Sequence, residues 1–199
     1  LVVGSAAGPV GGDELDLHLT VAPGAHVSIG TVAATIVWPG PDGQRSTMSL
    51  TIDVGTGGHV DWHPCPTVSV AGSDHLMSTL VRLGRRATCR IVEELALGRG
   101  DEPSGRLDAS VRIERDGSPV VHHHERFGAG SPGWGSTTSV GDARFVHQEF
   151  RVGGDVGETA TVVTATGAAA RLRISGDATL TLATGRDRPS VLALLAGWR

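Results

Sequence analysis

Tyrosine and lysine are absent from the 199-residue sequence, and aromatic residues make up only 4% of it. The hydrophobic core must therefore be built mainly from Val, Leu, Ile and Ala. The β-branched members of this set pack well on pleated sheets, so the composition favours β structure. A chain of this length can bury one good core, and we expect a single domain over residues 1–199.

Basic charge, long apolar runs and cysteines are also scarce. The net charge of −4 argues against a nucleic-acid partner, because phosphate binding requires a basic surface. No apolar run reaches the roughly 18 residues of a membrane helix, and no signal peptide is visible. Two cysteines, Cys65 and Cys89, do not make a disulfide framework. We therefore expect a cytoplasmic protein without membrane contact.

Glycine and proline, by contrast, are plentiful, and they divide the chain into short segments of alternating apolar and polar residues. Residues 47–54 alternate cleanly, and Asp116-Gly117 is a strong hairpin signal. Strands at intervals of roughly 8–12 residues predict an all-β, layered sandwich or roll with many strands. One or two short helices are expected, the best one after Pro189, where Ser190 would be the N-cap.

A row of potential metal ligands occupies residues 59–65. His59, Asp61, His63 and Cys65 are two residues apart, so on an extended strand they would share one face. Their nitrogen, oxygen and sulfur atoms suit Ni²⁺ or Zn²⁺. Alternate residues lie roughly 7 Å apart, however, so at most two neighbours could bind one ion. We favour a solvent-facing polar strand over a metal site.

The triplet His122-His123-His124 invites a metal interpretation too. His122 and His124 would share one face of a strand, with His123 on the other. Glu125 could orient an imidazole or pair with Arg126. Adjacent surface histidines can bind metal weakly without any role, and we favour this interpretation over a physiological site.

Glu93 and Glu94 interrupt an apolar segment, so one of them faces inward if that strand is buried on one side. A buried carboxylate is costly unless it is paired or protonated. Arg90 and Arg99 are candidate partners, and both a structural ion pair and a functional carboxylate remain open. No nucleophile elbow, Walker loop or HExxH motif is present, so we expect no enzyme.

Several segments, in their order and spacing between Gly11 and Val121, resemble the urease accessory proteins of the UreD (UreH) family. These segments are Gly11-Gly12-Asp13-Glu14-Leu15 with the alternating strand that follows it, Ala22-Pro23-Gly24-Ala25, Val32-Ala33-Ala34-Thr35, Val60-Asp61-Trp62-His63-Pro64, and Glu93-Glu94-Leu95-Ala96-Leu97-Gly98-Arg99. The chain departs from the family at residues 63–65, where Leu-Pro-Gln is usual, and at residues 100–105. It therefore resembles a short, divergent member.

The resemblance implies a non-enzymatic chaperone that binds apo-urease and UreF, with UreG joining through UreF. It also implies that Ni²⁺ passes transiently toward the urease active site, with no tightly bound cofactor. The interior passage of the family would correspond to Asp13, Thr35 and Glu93, and to His123 or Glu125.

Two functions of different classes follow. The accessory scaffold is favoured, and it would contact its partners through Trp134 and through the apolar tail that contains Leu194, Leu195 and Trp198. The alternative is a metal-dependent β-sandwich enzyme that uses His59, His63, His122 and His124.

Overall fold

The structure, a computed structural model, describes residues 1–4 and 8–198. Within these residues the chain forms fourteen strands and one helix, which confirms the all-β, layered fold. The strands are β1 (Glu14–Val21), β2 (His26–Ile29), β3 (Thr35–Val37), β4 (Ser46–Val54), β5 (His59–Trp62), β6 (Thr67–Ser69), β7 (Asp74–Leu83), β8 (Thr88–Leu97), β9 (Arg106–Arg115), β10 (Ser118–Phe127), β11 (Phe145–Val152), β12 (Ala160–Thr164), β13 (Gly167–Ser175) and β14 (Ala178–Gly185), and the helix is α1 (Arg188–Leu195).

These strands form two sheets that face each other. The first sheet has the order β1-β4-β7-β9-β10, and the second has the order β12-β13-β14-β11-β8-β5-β2. The short strands β3 and β6 pair beside β8 in the second sheet. The second sheet is therefore the wider of the two.

Most pairs in the first part of the chain are parallel, although the sequence has no helices between those strands. The chain crosses from one sheet to the other and back, so each crossover is supplied by strands of the opposite sheet. Each passage of the chain through both sheets brings residues about thirty positions apart side by side, as in Glu14 with Thr47 and Thr47 with Leu76. A parallel pair needs a crossover of a dozen residues or more, and this winding provides it without a helix.

The hairpin predicted at Asp116-Gly117 is confirmed. Both residues have positive φ angles, 50° and 78°, as a two-residue turn between twisted strands requires. The turn joins β9 to β10, which are antiparallel. It also makes β10 the last strand of the first sheet.

The predicted C-terminal helix is present, but the prediction that Ser190 caps it is wrong. The helix begins at Arg188, and the side chain of Asp187 accepts a hydrogen bond from the backbone N–H of Ser190 at 2.8 Å. Pro189 lies in the first turn, where its missing N–H costs nothing. Among the described residues, no helix is long and apolar enough to cross a bilayer.

Apolar side chains fill the space between the sheets in two clusters. The larger cluster includes Ile52, Ile91 and Phe150, all fully buried. The smaller one includes Leu95 and Phe127 near the other end of the strands. A third cluster lies on the outer face of the second sheet, where α1 packs.

Phe150 is a direct test of this core. Its side chain is completely buried between the sheets, so Phe150→Ala should lower the free energy of unfolding by about 3–5 kcal/mol. Urea denaturation measures the change. Val163→Ala is the control, because Val163 is 75% exposed, and its effect should stay within about 0.5 kcal/mol. Equal effects of the two substitutions would contradict the assigned core.

Candidate functional site

A layer of polar side chains separates the two apolar clusters between the sheets. Strand alternation points Glu93 and Gln148 inward from the second sheet. They lie side by side there, because they are register partners on the neighbouring strands β8 and β11. The first sheet contributes Thr79 from β7 and His123 and Glu125 from β10. We call these five side chains the polar layer.

Glu93 is the most deeply buried carboxylate in this layer, with 3% of the residue exposed. The hydroxyl of Thr79 donates a hydrogen bond to its Oε1 at 2.9 Å. Its Oε2 has no hydrogen-bond partner among the described residues. Burial raises the pKa of Glu93 to about 7, although the bond from Thr79 acts in the opposite direction. The carboxyl group can therefore change its charge near neutral pH.

The other side chains of the layer are also incompletely paired. The amide nitrogen of Gln148 donates to Glu125, and Nε2 of His123 lies 3.6 Å from Glu125 Oε1. Among the described residues, neither His123 Nε2 nor Gln148 Oε1 has a hydrogen-bond partner. Each buried unpaired polar atom costs free energy. Glu93 Oε2 is the third such atom in this layer, and water or a cation can pair with these atoms.

A cavity adjoins the layer at Glu93. The space open to the centre of a water molecule is about 40 Å³, which is enough for water or a small ion. Thr35, Cys65, Thr67 and Thr79 are among its lining residues. The rest of the lining is largely apolar and includes Met48, Leu50, Trp62 and Met77, so the polar layer borders a mainly apolar space on the side of β3 and β6.

The structure brings four of the five interior candidates together and leaves one apart. Thr35 and Glu93 line the same cavity, and His123 and Glu125 belong to the polar layer. Asp13 instead lies in the exposed turn before β1, where its carboxylate accepts a hydrogen bond from the backbone N–H of Val10 at 2.9 Å.

The row from His59 to Cys65 is interrupted because β5 ends at Trp62. Nδ1 of His59 lies 2.7 Å from the hydroxyl of Thr88. His63 lines a separate pocket under α1. Cys65 lines the cavity beside Glu93, and its thiol donates to the carbonyl of Thr31.

His122 and His124 share the outer face of β10, with His123 on the inner face, as the alternation predicted. His122 is exposed, and Nε2 of His124 lies 3.9 Å from the carboxylate of Asp108. Across residues 1–4 and 8–198, no three His, Cys, Asp or Glu side chains converge to hold a metal ion.

Glu94 is buried on the opposite face of β8 and has a structural role. Nε of Arg188 lies 2.7 Å from one carboxylate oxygen, and Nδ1 of His147 lies 3.3 Å from the other. Burial works to raise the pKa of Glu94, but these two partners hold it below its usual value.

The arginine partners proposed from the sequence are engaged elsewhere. Arg90 pairs with Asp61 and Glu149, and Arg99 lies beside Glu102. Neither arginine reaches the carboxylates at positions 93 and 94 by any contact among the described residues.

Sequence reasoning did not single out Thr79 or Gln148. The available signal was the position of Gln148 inside the otherwise apolar inner face of β11, between Val146 and Phe150. Thr79 carries no such signal, since threonine is common in strands.

The candidate contact residues are packed against the body of the protein. The half-buried ring of Trp134 packs on the smaller core cluster. Leu194, Leu195 and Trp198 are half-buried against the third cluster. Arg171 lies over the ring of Trp198, 5.5 Å from its centre.

Two sheets around a partly unpaired polar layer define the class: an all-β, layered protein with ionisable side chains between its sheets. The family model described as "UreD urease accessory protein" matches residues 1–185. The chain therefore belongs to the UreD urease accessory protein family. Members of this family are accessory factors and not enzymes.

Individual relatives agree with this assignment. The chain is 35% identical over 147 residues, 74% of its length, to urease accessory protein UreD 2 of Saccharopolyspora erythraea. It is 34% identical over 190 residues, 94% of its length, to UreD 3 of Streptomyces griseus subsp. griseus. It is 33% identical over 202 residues, 99% of its length, to UreD of Streptomyces coelicolor. The chain spans about half the length of the Saccharopolyspora relative, 52%, and 74% and 78% of the two Streptomyces relatives.

Glu93 should make the stability of the protein depend on pH. The carboxyl ionises near 4.5 in the unfolded chain and near 7 in the folded protein, so between these values only the folded state keeps the proton. The stability that this group contributes is present below about pH 4.5 and is lost as the pH rises toward 7. Between about pH 5 and about pH 8, the free energy of unfolding of the wild type should fall by a few kcal/mol relative to that of Glu93→Gln. This follows from roughly 1.4 kcal/mol for each unit by which folding shifts the pKa.

Urea denaturation of both proteins at about pH 5 and about pH 8 measures this difference. The matched control is Glu114→Gln on β9, where Glu114 pairs with Arg112 away from the polar layer. Its stability should follow the pH dependence of the wild type. Parallel curves for the wild type and Glu93→Gln would show that Glu93 does not titrate in this range.

Proposed function

We propose that this chain is a scaffold for urease maturation in the cytoplasm and that its polar layer conducts Ni²⁺ toward the urease active site. In this proposal it binds the urease subunits and UreF, and UreG joins the assembly through UreF. Nickel is the cargo of the protein and not a resident cofactor. The polar layer around Glu93 is the observation that carries the proposal.

The chemistry of the layer suits a divalent cation of borderline softness. Glu93 and Glu125 offer carboxylate oxygens, and His123 offers an imidazole nitrogen. Ni²⁺ accepts both kinds of ligand. Because the described residues nowhere bring three such ligands together, an ion would meet them one or two at a time. Weak, successive contacts suit transfer better than storage.

The protonation of Glu93 supports the same role. Its pKa of about 7 leaves the carboxyl group partly protonated at neutral pH when no cation is near. A divalent cation beside it favours the ionised form, and the departing cation allows the proton to return. The buried carboxylate therefore need not remain charged without a partner.

The shape of the interior supports passage across the sandwich. At one side the layer reaches β10, the edge strand of the first sheet, through His123 and Glu125. At the other side Glu93 borders the cavity, where Thr35 and Cys65 lie among mainly apolar side chains. We propose that these two sides are the ends of the route.

Partner contacts are part of the same proposal. Trp134, Leu194, Leu195 and Trp198 each keep part of their apolar surface exposed. They remain the proposed contact residues for urease and the other accessory proteins. A metal-dependent enzyme is not supported, because His59 and His63 lie in different surroundings from His122 and His124.

Co-purification tests the scaffold. When the tagged protein is expressed together with the other genes of a urease operon, it should elute with urease subunits, UreF and UreG. Recovery of the protein alone, with one tightly held metal ion per chain, would overturn the proposal.

Glu93→Gln tests the nickel route within that assembly. The substitution keeps the size of the side chain but removes the charge, so the complex should still form while nickel content and urease activity fall at least tenfold. Urease purified from the same cells supplies both measurements. Glu114→Gln is the control and should leave both values unchanged. Full nickel content with Glu93→Gln would place the route elsewhere.

A further inference from the structure

The second sheet extends beyond the first, and its overhang exposes an apolar face. β14 is followed by β13 and β12 at this edge, whereas the first sheet ends at β10. On the inner face of these two strands, Val163, Leu172 and Ile174 are 75%, 46% and 42% exposed. Leu172 pairs with Leu180, which belongs to the large core cluster. The exposed face is thus a continuation of the hydrophobic core.

β10 borders this face as an open edge. Its one strand partner among the described residues is β9, so the backbone groups on its other side have no sheet partner there. The contact between Gln148 of β11 and Glu125 of β10 places β10 over β11, so β14 lies between it and the overhang of β13 and β12. An open edge of ten residues can receive another strand.

The outer face of β10 has a basic character. His122, His124 and Arg126 alternate along it, and all three are exposed. Arg126 pairs with Asp108, but Asp108 is also bound by Arg45, so this carboxylate does not neutralise the row. A strand placed beside β10 would bring its own outward side chains next to these three residues.

We propose that β10 receives an extended strand from a partner protein, which lengthens the first sheet over β12 and β13. Pairing through the backbone would supply affinity, and alternate side chains would supply specificity. Inward side chains of the strand must be apolar to cover Val163, Leu172 and Ile174. Outward side chains must be acidic to complement the basic row. The occupant is therefore an extended segment in which apolar and acidic residues alternate.

The dimensions agree with this occupant. Neighbouring strands are spaced about 4.8 Å apart and facing sheets about 10 Å apart. An overhang two strands wide therefore leaves room for one or two added strands at the normal sheet separation. A helix, about 10 Å in diameter, would cover the same apolar face but would leave the backbone groups of β10 unpaired.

The docked strand would also cover one end of the polar layer. The side chains of His123 and Glu125 on β10 are 20% and 29% exposed. This consequence rests on the proposed nickel route, whereas the docking itself does not. The strand would place the partner where an ion enters or leaves the layer.

A ten-residue peptide of alternating valine and glutamate is the probe for this site. It should bind the whole protein saturably and slow the hydrogen exchange of the β10 amides that point away from β9. The same peptide with N-methylated backbone amides keeps its side chains but cannot pair, and it should bind at least tenfold more weakly. A valine–lysine peptide should also bind at least tenfold more weakly. Equal binding of all three peptides would overturn the proposal.

Variants of the protein test the two faces separately. The triple variant His122→Glu, His124→Glu, Arg126→Glu should weaken binding at least tenfold, and so should Leu172→Ser with Ile174→Ser. Arg85→Glu is the control, because Arg85 is an exposed arginine in the turn before β8, and this variant should bind the peptide normally. Circular dichroism and thermal unfolding establish that each variant is folded. Unchanged affinity in both folded variants would overturn the proposal.

Two further outcomes would count against a partner strand. Slow exchange, in the protein without peptide, of the β10 amides that point away from β9 would mean that the chain itself or a second copy already covers the edge. Co-purification of urease components that is indifferent to the triple variant would reject this docking site while leaving the scaffold function intact.

Discussion

The two-residue period of the β-strand decides what can lie between the sheets of this protein. On β8, the side chains of Cys89, Ile91, Leu95 and Leu97 all point into the core. Glu93 stands at the centre of the same row, so it is buried as soon as its neighbours are. A shift of register by one residue would move the whole apolar set to the opposite face of β8, which makes the position of Glu93 inseparable from the fold.

This constraint explains why the polar layer is only partly paired. A buried carboxylate is tolerated when it is hydrogen-bonded or protonated. Thr79 donates one hydrogen bond to Glu93, and protonation near neutral pH removes the charge whose burial would otherwise cost free energy. Glu94, one residue away, faces the other side and is fully paired with His147 and Arg188. One of the two carboxylates therefore stabilises the structure, while the other retains unused binding capacity.

The unequal width of the sheets is a second consequence of the winding. The chain stops alternating between the two sheets at the hairpin of β9 and β10, and the remaining strands all join the second sheet. The first sheet thus stops short, and apolar side chains such as Leu172 lie uncovered beside the edge of β10. Natural proteins seldom leave such an edge open without a reason. In this protein it coincides with the side where the polar layer meets the surface.

The local elements, and the face of each strand that is buried, follow largely from the pattern of residues along the chain. Alternation predicted the strands, Asp116-Gly117 predicted the hairpin, and the interrupted apolar segment predicted one inward carboxylate. The residue pattern left Glu93 and Glu94 equivalent, and only the resemblance to the family favoured Glu93. The folded structure shows that Glu93 is the residue between the sheets, that it meets Thr79, and that β5 ends at Trp62. It also decided the parallel pairing of strands about thirty residues apart. The reason is physical: side-chain alternation specifies which face of a strand is buried, whereas strands pair through backbone groups that nearly every residue shares.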